Sequence, residues 1–84
     1  MHYIYVLRNL EGKLYIGYSR DIKTRLKDHN SGKGSITTKK YGPWELIYCE
    51  GYLNQKDALG REKFLKGGSG KKYLKKQLKN YFEE

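Results

Sequence analysis

Five side chains in this sequence, Tyr5, Tyr15, Arg25, His29 and Glu62, are of the types that phosphodiester hydrolysis needs. That reaction calls for a base that takes a proton from water and a cation over the charge gathering on the phosphate. It also calls for an acid able to hold a divalent metal. Spacing makes three of the five conspicuous. Arg25 and His29 fall with Ile22 and Leu26 on the i, i+3, i+4, i+7 stripe that a soluble helix turns toward its core. Glu62 is flanked on a helical wheel by Ala58, Leu59, Leu65 and the stem of Lys66, mid-stripe, where a carboxylate is expensive unless it is paired or bound to a cation.

Plainer readings exist for each. Arg25 at a stripe edge can extend its guanidinium to water, a histidine near a helix C-terminus is favoured by the helix dipole, and Glu62 could simply be the salt-bridge partner of Arg25. Other candidates fall away. "SGKGS" and "GSGKK" each resemble part of a phosphate loop but lack its first glycine and the hydroxyl after the lysine. No Cys/His set has zinc spacing. Sequence order alone supports no Ser, His and Asp arrangement.

The elements that must position the five can be read from the pattern. "HYIYVLRN" is apolar on both faces and predicts a central strand. "LEGK" supplies a hairpin loop in which Gly12 takes positive φ, and "KLYIGYS" returns. With Leu10, Glu11 and Gly12 as the loop, Asn9 faces Lys13. Tyr3, Tyr5 and Leu7 then share a sheet face with Tyr15 and Gly17, with Gly17 opposite Tyr5. A slip of one residue would part Tyr5 from Tyr15. Asp21 opens a helix ending near Asn30, with Gly32 just beyond. "NSGKGSITTKKYG" reads as a flexible cationic loop, and "PWELIYCEGY" as a third strand opened by Pro43. Asn54 caps the helix "QKDALGREKFLK", which Gly67 and Gly68 end. Ser69 starts a third helix, "GKKYLKKQLKNYF", with an apolar stripe of Leu74, Leu78, Tyr81 and Phe82. The expected fold is α+β, a small three-stranded, mainly antiparallel sheet flanked by three helices in the order β-β-α-β-α-α.

Bulk properties narrow the class. The chain has 84 residues, which predicts a single domain over 1–84 with a small core. Twelve aromatic residues, nine of them tyrosine, enlarge that core while keeping polar tips. The lone Cys49 cannot form an internal disulfide and reads as a small strand residue in a reducing compartment. No signal segment or membrane span is legible, so a soluble, cytoplasmic protein is expected. A net charge of +9, from 18 Lys and Arg against 9 Asp and Glu, points to a polyanionic partner, DNA in the first place with RNA left open.

With these residues in order, the chain resembles the GIY-YIG nuclease superfamily, in particular its small stand-alone bacterial branch. The two name motifs correspond to "YIY" at Tyr3 to Tyr5 and "YIG" at Tyr15 to Gly17, followed by the helix "RLKDHNSGKG". The resemblance runs over essentially the whole chain and implies cleavage of DNA phosphodiesters with one divalent metal, Mg²⁺ or Mn²⁺. It assigns Tyr5 and Tyr15 to the motif tyrosines, Tyr5 being the favoured partner of the attacking water. It gives Arg25 to charge on the scissile phosphate, His29 to support of proton transfer and Glu62 to the metal. Two positions depart from the family pattern: Tyr3 stands where the first motif has Gly, and Asn80, the match for a late asparagine, points away from the core.

A metal-dependent DNA endonuclease, structure-selective and linked to repair or recombination, is therefore the leading expectation. Lys33, Lys39 and Lys40 in the 32–40 loop, with Lys71, Lys72, Lys75 and Lys76 on the third helix, would hold phosphates. A protein partner could supply substrate targeting. The alternative is a non-catalytic nucleic-acid-binding domain of the same fold, to which stacking tyrosines and lysines would serve equally well. A basic module for an acidic protein is a third reading. A pure binder has no use for an inward Glu62.

Overall fold

The computed structural model describes residues 1–34 and 36–84, with only the backbone of Ile36 and Thr37. Ser35, within the stretch read as a cationic loop, lies outside the described residues. Three strands, β1 (His2–Asn9), β2 (Leu14–Ser19) and β3 (Trp44–Tyr52), form one antiparallel sheet in the order β2-β1-β3. β1 is central, as its two apolar faces require. Asn9 N–H donates to the Lys13 carbonyl at 3.0 Å and Gly12, at φ 84°, closes the three-residue loop. Tyr5 pairs with Gly17 and Leu7 with Tyr15, so the expected hairpin register holds.

Strand alternation divides the core into two layers. Ile4, Val6 and Ile16 pack with Ala58, Leu65 and Leu74 on one face. Tyr5, Leu7 and Trp44 pack with Tyr15, Ile22, Leu26 and Tyr41 on the other. The second layer is covered by α1 (Ile22–Asn30) and the first by α3 (Gln55–Lys66) and α4 (Gly70–Gln77). Side chains set the boundaries of α1 and α3. Asp21 accepts from the Thr24 N–H at 3.1 Å, Asn54 accepts from the Lys56 N–H at 2.8 Å, and each satisfies a helix-end donor without an intrahelical partner.

Two features differ from the sequence reading. Part of the expected loop is a short helix, α2 (Ile36–Tyr41), anchored by three bonds into the Tyr5 layer. The Trp44 indole N–H donates to the Thr38 carbonyl at 2.8 Å, Asn9 Nδ2 donates to the Tyr41 carbonyl at 3.0 Å, and the Thr38 hydroxyl meets His29. The expected third helix breaks at Leu78 into α4 and α5 (Lys79–Glu83). Beyond the break, Tyr81 and Phe82 flank the Arg8 guanidinium at 5.6 and 5.2 Å from their ring centres. That cation–π arrangement gives their ring faces a partner on β1. Among the described residues no helix is long and apolar enough to cross a membrane.

A candidate active site around the Tyr5–His29 pair

Tyr5 and His29 meet across 24 residues of chain. The Tyr5 hydroxyl lies 2.8 Å from His29 Nε2, and His29 Nδ1 lies 2.7 Å from Thr38 Oγ1. His29 is 3% exposed and Thr38 fully buried. Both imidazole nitrogens are therefore engaged inside the protein, and the ring has one orientation. The helix C-terminus that could have accounted for His29 on the surface instead delivers it into the core.

Glycine makes room for this pair twice. A Cβ on Gly17 would overlap Cζ and Oη of Tyr5, with Cε2 at 2.9 Å, so the tyrosine ring lies across β2 where β2 has no side chain. A Cβ on Gly34 would overlap His29 Nδ1 and Thr38 Oγ1 in the same way. The first of these follows from the even register of the hairpin; the second has no counterpart in the sequence reading.

Tyr15 approaches the histidine edge-on, ring centres 5.0 Å apart, and lies 6.1 Å from the Trp44 ring. Its half-buried hydroxyl makes no hydrogen bond among the described residues. Asn30 clamps the start of β3, accepting from the Trp44 N–H at 2.6 Å and donating to the Trp44 carbonyl at 3.0 Å. The C-terminal end of α1, which carries His29, is thus tied to the sheet on both sides.

Electrostatics follow from burial. Desolvation pushes the Tyr5 hydroxyl well above the ordinary tyrosine range; Tyr15 adds to this, Arg25 opposes it and Glu62 adds a little. Burial lowers the His29 imidazole, the Arg25 charge lowers it further, and Asp28 partly opposes both. At neutral pH the pair is phenol and neutral imidazole, so one ring nitrogen has a free lone pair to accept a proton.

Arg25 and Glu62 need correction. Arg25 is exposed, not inward, with no hydrogen bond or ion pair for its guanidinium among the described residues. The buried line of α1 runs through Ile22, Leu26 and His29, and Arg25 stands at its margin. Glu62 stands at a margin too. The buried line of α3 is Ala58 and Leu65, Leu59 is 42% exposed, and Glu62 and Arg61 flank the line on either side. The Glu62 side chain is 20% exposed, with Lys66 Nζ at 3.3 Å. No Arg25–Glu62 ion pair exists. The two residues belong to opposite layers, yet both charges reach Tyr5. Asn80 is exposed, as the stripe implied.

The lysines are exposed throughout but divide between layers. Lys33 follows α1 and Lys39 and Lys40 stand on α2, over the Tyr5 face; Lys71, Lys72, Lys75 and Lys76 stand on α4, which packs on α3 over the Ile4 face. Sequence reasoning missed Thr38, Asn30 and Trp44 as members of the site, and also a cluster in the other layer. There Arg61 donates to Glu50 through Nε at 2.9 Å and Nη2 at 3.0 Å, and the hydroxyls of Tyr48 and Tyr52 donate at 2.5 and 2.6 Å. Burial alone would raise the Glu50 carboxyl, but these four bonds hold it below its usual range. Cys49, opposite Tyr5 on β3, is free and exposed.

Among the described residues no three His, Cys, Asp or Glu gather as a metal cage. A single carboxylate such as Glu62 suits a hard cation that keeps most of its waters and shares its remaining positions with phosphate, as Mg²⁺ does.

Comparison with known proteins places the chain in a family. A UPF0213 protein of Staphylococcus saprophyticus is 42% identical over 74 residues, spanning 88% of this chain and 90% of that protein. One from Bacillus licheniformis is 39% identical over 83 residues, 99% of this chain and 80% of that protein. The solution NMR structure of a UPF0213 protein from Bacillus halodurans is 33% identical, with a TM-score of 0.54 over 87% of this chain and 80% of that one. A family model of the GIY-YIG catalytic domain matches residues 1–80. The chain thus belongs to the GIY-YIG family, whose general activity is that of a nuclease.

Proposed function

We propose that this chain is a cytoplasmic, divalent-metal-dependent endonuclease that hydrolyses DNA phosphodiesters, structure-selective and serving repair or recombination. The observation that carries the reading is the buried hydrogen bond between Tyr5 and His29. Burial disfavours a free Tyr5 phenolate, so Tyr5 acts as a base only if its own proton leaves as it takes one from water. Neutral His29 supplies the acceptor: the Tyr5 proton passes to Nε2 while Nδ1 stays on Thr38. The attacking water loses its proton to the Tyr5 oxygen, the water oxygen bonds to phosphorus, and the P–O bond to the leaving strand end breaks, its oxygen departing with the bonding pair and taking a proton from solvent. Tyr15, whose hydroxyl is uncommitted, orients that water. Arg25, exposed and unpaired, meets the charge developing on the phosphate.

Glu62 would hold the Mg²⁺ or Mn²⁺. Lys66, 54% exposed, is a flexible partner that can swing aside, and a single i, i+4 pair contributes only ~0.3–0.5 kcal/mol. When bound, such an ion supplies charge neutralisation beside the scissile phosphate. Lys33, Lys39, Lys40 and the α4 lysines hold the flanking backbone, with targeting left to a protein partner. One chain is read as one nuclease domain.

The test is cleavage of labelled branched and linear DNA with Mg²⁺, with Mn²⁺ and with chelator, by wild type, Glu62→Gln and Arg25→Ala. Both variants are expected to melt within a few degrees of wild type, because neither side chain carries a strong interaction. Both should lose cleavage, Arg25→Ala by ~10²–10³ in rate. Equal cleavage by wild type and both variants would defeat the nuclease site. DNA binding without cleavage under every metal condition would favour the non-catalytic binder.

A further inference from the structure

A groove on the Tyr5 face lies outside the machinery described so far. It encloses about 670 Å³ beside the first turn of α1, walled by Tyr3, Ile22, Leu26 and Leu46, with Arg20, Asp21 and Lys23 at the rim. Tyr3 stands two residues from Tyr5 on the same face of β1, so the groove begins about 7 Å along the strand from the proposed base. The strand opposite has no side chain here: Tyr3 pairs with Gly51, where a Cβ would overlap the Met1 sulfur and lie 3.2 Å from Cε1 of Tyr3, so Met1 and the tyrosine ring share that space. The Tyr3 hydroxyl makes no hydrogen bond among the described residues, so nothing polar explains a tyrosine at this position.

The rim favours an anion. Arg20 and Lys23 are exposed, and neither forms an ion pair among the described residues. Asp21 lines the groove with them; its carboxylate accepts from the Thr24 N–H at 3.1 Å and the Thr24 hydroxyl at 2.8 Å and its charge also acts on Lys23, so the three side chains leave the mouth with a net charge of +1. An apolar slot with an aromatic wall and a net positive mouth fits a ligand with a flat apolar end and a negative one. We propose that the groove receives one unpaired nucleotide of the substrate strand, its base stacked on Tyr3 between the α1 and β3 side chains and its phosphate on Arg20 and Lys23. A base inside a duplex cannot enter such a slot without leaving its stack. The inference rests on nucleic acid being the substrate and narrows that substrate to a flap, fork or frayed end with an unpaired nucleotide next to the scissile bond.

The experiment needs no catalysis. Isotope-labelled protein with chelator present is titrated, by NMR, with a short oligo(dT), with a duplex of matched length and with inorganic phosphate. Oligo(dT) is expected to shift the resonances of Tyr3, Ile22, Leu26 and Leu46, which inorganic phosphate leaves in place. Tyr3→Ala should weaken oligo(dT) binding by on the order of 10-fold or more, as loss of one stacked base does, and Tyr3→Phe should retain it. Oligo(dT) shifts confined to the lysines of α2 and α4, equal affinity of Tyr3→Ala, or the same groove shifts with inorganic phosphate would each overturn the groove as a base site. If duplex binds and is cut with Mg²⁺ while the groove stays silent, only this inference falls. If neither nucleic acid binds, the nuclease reading falls with it.

Discussion

Placing a methyl group on Gly17 tests the geometry of the site without reference to any activity. The backbone there is not in the left-handed region, so alanine meets no conformational penalty, and in a strand interior it is worth ~0.5–1 kcal/mol more than glycine. The ring of Tyr5 reverses the sign. A Cβ at Gly17 overlaps Cζ and Oη and lies 2.9 Å from Cε2, in a core that is already filled. Over-packing of that kind costs ~1–3 kcal/mol, a fall of roughly 5–20 °C in melting temperature for a chain of this size. Tyr5→Phe retains Cζ and so should leave the penalty in place. Tyr5→Leu removes it, and Gly17→Ala in that background should be neutral or stabilising. Subtracting the two effects of the methyl group gives a coupling between positions 5 and 17 of ~1.5–4 kcal/mol. Chemical denaturation of wild type, both single variants and the Gly17→Ala/Tyr5→Leu double variant measures it. A coupling under ~0.5 kcal/mol would mean that the Tyr5 ring does not lie across β2, and the Tyr5–His29 bond would lose its geometric basis.

His29 should make stability depend on pH. Its folded-state pKa lies below the ordinary 6.5, so as pH falls through that value the unfolded chain takes up the proton first and stability declines. His2 shifts the same way, so the His29 share is the part of the decline that His29→Gln abolishes in denaturation midpoints measured from about pH 8 to about pH 5; an unchanged pH profile in that variant would contradict the buried neutral imidazole. Arg61→Ala should lower stability by ~2 kcal/mol, short of the ~3–5 of a fully buried pair, because 22% and 16% of the Arg61 and Glu50 side chains remain exposed. A loss below ~0.5 kcal/mol in urea titrations would make the cluster a surface decoration. Removing Lys71, Lys75 and Lys76 together should reduce the slope of log affinity against log salt by up to ~3 on duplex DNA; an unaltered slope would assign phosphate binding to the α2 layer alone.

The hairpin was legible because period 2 leaves no intermediate choice: once Gly12 closes a three-residue loop, Tyr5 must face Gly17. The caps were legible because Asp21 and Asn54 act within three residues of themselves. His29 was legible as an inward position, but not as a fully engaged polar residue of the site, because its partner Thr38 arrives through tertiary structure. Nothing periodic marks six residues of α2 inside a Gly, Ser and Lys stretch. That helix is held by Trp44, Asn9 and His29, all distant or in other elements. Arg25 and Glu62 were placed inward because a helical wheel gives angles without widths. The buried line of each helix proved narrower than the stripe of candidates, and its polar margins took the charges that the interior would not accept.

A site assembled from two layers of a sheet needs both layers held in register with the strands between them, and the polar residues left over by the apolar core are arranged to do this. In the Tyr5 layer, Asn30 fixes the end of α1 to β3 through both backbone groups of Trp44, and His29 fixes the same turn to β1 through Tyr5. In the other layer, the bidentate Arg61–Glu50 pair fixes α3 to β3, with Tyr48 and Tyr52 occupying the remaining lone pairs of the carboxylate. Arg61 directly precedes Glu62. The clamp therefore sets the rotation of α3 about its axis at the residue next to the proposed metal ligand. Rotation by one residue position, 100° in a helix, would turn Glu62 away from its present place at the margin of the buried line. β3 is the common anchor of both layers, although none of its side chains takes part in the proposed chemistry.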